Sequence, residues 1–460
     1  MMSIKVHNTL TGQTEEFRPE REAEVRMFVC GPTVYGPSHV GHAKTYTQFD
    51  FIARYLEASG YKVTYLQNIT DVDDKIIRRS AEEGIPTEEI AALFEKQYLE
   101  DMTALGNTRV DVHARAHDHI DGIVDQIKRL IERGHAYQLD DGWYFDLASF
   151  PAYGKLSGRT DLRPEDSVSR IDDNSKKRHP GDFALWKGRK DGEPFWETDL
   201  GPGRPGWHIE DTAITEAYFG PSYDLHGGAV DLIFPHHEAE VAQMEAASGI
   251  EPLARYWMHT GLLRVDGEKM SKSTGNFLTI RDALARTDFR TLRHAFLSQH
   301  YRSSMELSDS TLEQARGARR RIENFARAID AAHTDSQANT ARAADTWKEM
   351  RERLDDDFDT PGALAVLFQY VREQNRLEEP AGPAALRLIE DVNDLFGTFD
   401  IPGSAAQSDA VVDELVKERD RLRAARKFAE ADAIRDQLIK EGVVLEDSPE
   451  GTRWWKETTP

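Results

Sequence analysis

Three stretches of the 460-residue chain predict an α/β fold: an apolar strand at 25–33 stopped by Gly31-Pro32, a helix behind it, and a second strand at 62–69. Strand, turn, helix, strand is the doubly wound, Rossmann-type unit, whose ligands gather at the carboxyl ends of the strands. The pattern breaks near residue 115 and resumes near 206, so an insertion splits this domain. An α-helical bundle and a small C-terminal unit follow. A chain of this length calls for two to four domains.

Each element has its own signal. The first half, 1–115, contains the helix whose apolar residues Val40, Ala43, Tyr46, Phe49, Ala53 and Leu56 recur at helical spacing, with Gly60 past its end. The insertion, 116–205, reads as a helix at 120–133, a hairpin-like stretch at 136–147 and polar loops. The second half, 206–290, carries a strand at 256–263. Between 291 and 400, helical periodicity at 316–332, 346–354, 362–376 and 384–396 suits an antiparallel bundle. Residues 401–409, rich in Pro, Gly, Ser and Ala, form a linker. The terminal unit, 401–460, adds helices within 411–440 and two short β-like runs. No internal repeat is visible.

Composition sets further bounds. Hydrophobic residues at 39% suffice for a sizeable core, and no apolar run approaches the length needed to cross a bilayer. The N-terminus lacks a signal-peptide profile, so a soluble, cytoplasmic protein is expected. Cys30 is the only cysteine, which excludes an intrachain disulfide. A net charge of −23 speaks against a polyanionic partner only weakly, because binding depends on local fields. Two arginine-rich clusters exist, at 316–321 and 419–427, and composition alone reads each as the solvated face of a helix.

Two motifs carry the chemistry. His39-Val40-Gly41-His42 places two imidazoles three residues apart at the start of the first helix, beside backbone N–H groups that favour anions. About 230 residues later, Lys269-Met270-Ser271-Lys272-Ser273 sets two ammonium groups on a short loop flanked by glycines. Such a loop can close on phosphates and neutralise charge as it develops. A histidine pair alone is weak evidence. The two motifs in this order point to a nucleotide triphosphate.

These motifs resemble the HIGH and KMSKS signatures of class I aminoacyl-tRNA synthetases. The runs FVCGPTVY (28–35), NITDVDDK (68–75), DFALWK (182–187), GRPGWHIE (203–210) and FPHHE (234–238) narrow the likeness to the cysteinyl-tRNA synthetase family, from near residue 3 to the C-terminus.

The resemblance implies a cysteine–tRNA ligase using ATP, L-cysteine and tRNA-Cys. His39, Gly41 and His42 would hold ATP, and Lys272 with Lys269 would stabilise the departing pyrophosphate. Thr70 and Trp207 match positions flanking the bound cysteine. Cys30, Asp211, His236 and Glu240 match the ligands of one Zn²⁺ per chain, whereas spacing alone favours a core histidine with surface carboxylates. The family's common pattern has a second cysteine where this chain has Asp211, an acidic variant associated with archaeal-type members. Whether Asp211 binds directly or through water stays open at this stage. Mg²⁺ should accompany ATP, with no carboxylate cluster evidently dedicated to it. Trp454 matches a base-contacting aromatic of the anticodon-binding tail, and a monomer is expected. A related ligase that transfers cysteine to an amino sugar and a non-catalytic RNA-binding paralogue are the alternative readings.

Overall fold

A computed structural model describes residues 3–160, 174–265, 268–269, 277–401, 410–424, 427–440, 443–448 and 451–456. The chain opens with a hairpin, β1 (Lys5–Asn8) and β2 (Gln13–Glu16), then enters the expected unit: β3 (Glu24–Val29), α1 (Val40–Ala58) and β4 (Lys62–Ile69). Helices α2 (Asp74–Glu83) and α3 (Thr87–Ala104) lead to β5 (Val112–Arg115). The insertion supplies α4 (Ile120–Glu132), β6 (Ala136–Leu139), β7 (Gly142–Phe145), β8 (Ala184–Gly188) and β9 (Gly203–Pro205), the strands pairing in order as an antiparallel sheet. The second half adds α5 (Trp207–Phe219), β10 (Tyr223–Ala229), α6 (Glu238–Ser248) and β11 (Ala254–Thr260).

The main sheet is parallel throughout, in the order β11-β10-β3-β4-β5. Strand order reverses between β3 and β10, the point where a doubly wound sheet opens a crevice at its carboxyl edge. Cys30 follows β3 at that edge, and His236 follows β10. Both faces of the sheet are covered, which is why β3 reads as an apolar run rather than an alternation: Val25, Met27, Phe28 and Val29 are all buried.

Next come β12 (Leu263–Val265) and β13 (Glu268–Lys269), then α7 (Ile280–Leu284), α8 (Phe289–Leu297) and β14 (Met305–Leu307). Helices α9 (Asp309–Ala328), α10 (Gln337–Leu354), α11 (Thr360–Gln374) and α12 (Pro383–Phe396) form the bundle, whose core is continuous with that around α1. The terminal unit holds α13 (Ala410–Ala424), α14 (Phe428–Lys440) and the hairpin β15 (Val443–Ser448) with β16 (Gly451–Lys456).

Each arginine cluster is largely the solvated face that composition suggested, but one member of each departs from it. Arg320 and Arg321 are exposed, but Arg319 is buried, pairing with Asp288 and, at 2.9 Å, with Glu323. Arg419 is buried too and donates to Thr452 Oγ1 at 2.8 Å, tying α13 to β16. A guanidinium with fixed carboxylate or hydroxyl partners can be buried where periodicity shows only charge. No helix among the described residues is long and apolar enough to cross a membrane.

Candidate active site

The HxGH segment forms the N-terminus of α1. His39 is the N-cap in extended conformation, and its Nδ1 accepts from Gly41 N at 3.1 Å. His42, one turn on, takes a long contact of 3.5 Å from His39 N, so the two side chains cap the helix reciprocally. Their rings stack with centroids 3.9 Å apart. Burial, the neighbouring His39 and Lys75 all push the His42 pKa down, which keeps its imidazole neutral. A neutral ring beside the helix terminus donates N–H without adding charge.

The second motif is anchored to the first at both feet. Lys44 of α1 donates from Nζ to Gly261 O at 2.8 Å, just before β12. After the loop, Val40 N donates to Leu278 O at 3.1 Å and Ile280 N to Ser38 O at 3.0 Å. Lys269 pairs through its backbone with Arg264. Its side chain and the whole of Lys272 lie outside the described residues.

Deeper in the crevice, buried donors converge. Cys30, Asp211 and His236 place Sγ, a carboxylate oxygen and a ring nitrogen within 4.8 Å of one another. His236 Nε2 lies 3.0 Å from Asp211 Oδ2 and 3.0 Å from Glu240 Oε1. Glu240 follows His236 by one helical turn and groups with His226 and His237 instead. Asp211 turns its carboxylate directly to the cluster, and its Oδ1 is held by Asn68 Nδ2 at 2.6 Å.

Electrostatics suit a cation here. Burial alone would lower the His236 pKa, yet Glu240, Cys30 and Asp211 hold it well above its usual value. The Cys30 thiol is pushed strongly upward by burial and by Asp211, so it stays protonated unless a positive charge stabilises the thiolate. Glu240 Oε1 is buried without a hydrogen bond of normal geometry, despite its 3.0 Å approach to His236. His236 Nδ1 meets His208 Nδ1 at 2.8 Å, the outer contact that fixes a metal-binding imidazole's tautomer. Cys30, Asp211 and His236 thus offer S, O and N donors within reach of one metal ion, and Glu240 touches this group only through His236.

Thr70 and Trp207 border this cluster. Thr70 is buried, and its hydroxyl accepts from Asn68 Nδ2 at 3.2 Å. Trp207 stacks on His236 with centroids 4.1 Å apart. Residues 16–317 match the family of class I (C) tRNA synthetase catalytic domains. The chain is also 44% identical over 455 residues to the cysteine–tRNA ligase of Thermoplasma acidophilum, covering 98% of this chain and 100% of that one. The chain belongs to the cysteinyl-tRNA ligase family.

A second relative, from Alkalilimnicola ehrlichii, is 45% identical over 474 residues, with 99% of this chain and 100% of that protein covered. Residues 349–400 match the DALR domain, and 407–454 the cysteinyl-tRNA ligase anticodon-binding domain. Among solved structures, Mycobacterium tuberculosis methionyl-tRNA synthetase in complex with methionyl-adenylate aligns at TM-score 0.58 and 18% identity. That alignment covers 81% of this chain and 88% of the other, a likeness of fold alone. The protein is thus an aminoacyl-tRNA ligase with the α/β architecture that its sequence predicts.

Several site residues carried no signal that spacing could reveal. Asn68 Oδ1 accepts from Gly31 N at 2.5 Å while its amide reaches Thr70 and Asp211. Gly31 cannot be replaced there, because a Cβ would lie 1.8 Å from the Asn68 carbonyl oxygen. Glu210 is fully buried with neither carboxylate oxygen in a hydrogen bond of normal geometry. Burial and the nearby Asp211, Asp73 and Asp71 push its pKa well up, although the Thr70 hydroxyl opposes this. Five of the chain's 16 histidines fall between 208 and 259, the one hint that a histidine-lined floor exists.

Proposed function

We propose that this chain activates L-cysteine with ATP and transfers it to the 3′-terminal adenosine of tRNA-Cys. One observation carries the reading: the HxGH cap of α1 and the buried Cys30, Asp211 and His236 group, with Glu240 beside His236, share the carboxyl edge of one parallel sheet. A nucleotide site and a sulfur-selective site thus lie side by side at the crevice.

Zn²⁺, one per chain, is the metal this donor set fits, with Cys30, Asp211, His236 and Glu240 as its ligands. When bound, it supplies a Lewis acid that prefers the sulfur of cysteine to the oxygen of serine. The protein's own residues do the rest by placement. Trp207 and Thr70 bound the amino acid, and the helix cap at His39, Gly41 and His42 receives the phosphates and ribose. A carboxylate oxygen of cysteine attacks the α-phosphorus, the α–β phosphoanhydride bond breaks, and pyrophosphate leaves. Lys269 and Lys272 neutralise the charge on that leaving group. Mg²⁺ enters with ATP, held by its phosphates and water. A ribose hydroxyl of the terminal adenosine then attacks the adenylate's carbonyl carbon, losing its proton as AMP departs.

The remaining assignments follow this division: 1–115 and 206–290 build the reaction site, 116–205 is the connective insertion, 291–400 meets the tRNA stem, and 401–460 reads the anticodon. Trp454 stands on β16 opposite Leu445, and its side chain lies outside the described residues. A cytoplasmic monomer is the working form. The test is cysteine-dependent ATP–pyrophosphate exchange followed by aminoacylation of tRNA-Cys. Exchange should need cysteine and no tRNA, and deletion of 405–460 should spare exchange while aminoacylation collapses. Exchange with serine equal to that with cysteine would sink the reading. Equal loss of both activities on deletion would make the tail structural instead.

A further inference from the structure

Within the run 68–75, Thr70 and Asn68 already have places in the site, whereas its closing lysine has none. We propose that Lys75 is the cation that binds the α-carboxylate of the amino-acid substrate at the seam with the nucleotide. The proposal rests on the cysteine reading given above.

Lys75 is the second residue of α2, and its backbone N–H is fixed by the N-cap Asp73 at 2.8 Å. Its Nζ lies 5.4 Å from the centroid of the Tyr35 ring and 5.7 Å from that of Trp207. Two aromatic faces attract an ammonium group without neutralising it. The acidic residues on the same turn are committed elsewhere. Asp71 contacts His117, Asp73 caps α2, and Asp74 pairs with Lys187 at 2.7 Å and Arg204 at 2.6 Å. The Lys75 ammonium is thus half-buried against aromatic rings while the carboxylates of its own turn are engaged elsewhere, a setting that suits an anion from outside the chain.

Position identifies that anion. Trp207 is a neighbour of both groups: the Lys75 ammonium lies 5.7 Å from its ring centroid, and His236 stacks on it with centroids 4.1 Å apart. On the other side, the charge of Lys75 reaches His42 of the nucleotide motif. Cysteine spans only about 4 Å from sulfur to carboxylate. With the thiol at the Cys30–His236 cluster, the carboxylate extends past Trp207 toward Lys75, and the α-phosphate approaches from the His42 side. A cation at that seam holds the attacking oxygen in place and meets the negative charge that accumulates as it joins the phosphorus.

Cysteamine, which is cysteine without the carboxylate, separates this role from a structural one. Binding of cysteine and of cysteamine would be measured by calorimetry on metal-loaded wild-type, Lys75→Met and Lys75→Arg proteins, with metal content and thermal midpoint recorded for each. Lys75→Met should weaken cysteine about ten- to a hundredfold, the worth of one charge-assisted contact, while cysteamine affinity and metal content hold. Lys75→Arg should recover part of the loss. Equal weakening of both ligands, or no change in either, overturns the proposal. If wild-type protein itself bound no cysteine and gave no cysteine-dependent exchange, the proposed function would fall first, a result distinguishable from failure of Lys75 alone.

Discussion

The floor and the mouth of the crevice are built by opposite means. The floor is buried and crowded: Cys30, Asp211, His236, Glu240, His226 and His237 are all buried, and the carboxylates and imidazoles contact one another side chain to side chain. His237 Nδ1 meets His259 Nε2 at 2.9 Å, and His259 Nδ1 meets Thr9 Oγ1 at 2.8 Å, so its rings are locked from behind. Burial drives the pKa of His259 down to about 3, so that ring is neutral throughout the physiological range. The mouth is made largely of backbone ends: a helix cap, two stacked rings and the described segments that flank the second motif, hydrogen-bonded to α1 and to the residue before its cap. A site that must choose sulfur over oxygen needs fixed geometry and low dielectric. One that must admit ATP and release pyrophosphate needs access.

Breaking the floor alone should give the largest effect. His236→Ala removes the ring that touches both carboxylates, so metal content should fall close to zero. Cysteine activation should drop on the order of a thousandfold or more, from the loss of several kcal/mol of metal contact. ATP binding, measured by fluorescence displacement, should hold within a few fold. Loss of ATP binding in step would show that floor and mouth are one unit.

The next test asks what keeps the mouth in register. Arg293, almost fully buried on α8, donates to Asp50 Oδ2 of α1 at 2.7 Å, to Asn107 Oδ1 at 2.6 Å and to Phe396 O at 2.9 Å. It joins the HxGH helix to the bundle. Arg293→Ala leaves Asp50 buried without this partner and should cost about 3–5 kcal/mol in denaturant unfolding. A loss under about 1 kcal/mol would mean that Arg54, also on Asp50 at 2.8 Å, suffices alone.

Within the mouth, Lys272→Ala should slow pyrophosphate exchange about a hundredfold, the value of one contact made mainly in the transition state, while cysteine binding barely changes. Near-normal exchange would reduce the loop to a cover.

The same contrast decides what could be read from the sequence. The mouth was legible because helix caps and phosphate loops are local: His39 to His42 sit where their spacing puts them, and α1 and β4 begin within a residue of expectation. The bundle helices were legible by periodicity, although α9 begins at Asp309, seven residues ahead of the apolar pattern, after a Ser308 cap. The floor was not legible. Its residues come from β3, α5, β10, α6 and β11, and only the resemblance brought four of them together. Gly228 shows why: a Cβ there would meet His237 Cε1 at 2.7 Å, a restriction set by tertiary approach rather than by turn chemistry. Arg319 and Arg419 make the same point for charge, since pairing across the fold, not composition, decides which cations are solvated.

The smallest effect is a pH slope. Burial pulls the Asp50 carboxyl upward, but Arg293 and Arg54 outweigh it and hold its pKa below the ordinary aspartate value. A carboxyl depressed in the folded state binds its proton more readily when unfolded, so its stabilising share is complete above the unfolded value, near pH 4. That share fades as pH falls through the lower folded value. Asp50→Asn carries a neutral side chain at every pH. The stability gap between wild type and Asp50→Asn should therefore be flat from pH 7 to about 5 and narrow steadily below about 4. Urea unfolding across pH 3–7 reads it directly. A gap that stayed constant to pH 3 would mean that Asp50 acts through shape and hydrogen bonding alone. The mouth would then rest on the same kind of fixed, charge-independent packing as the floor.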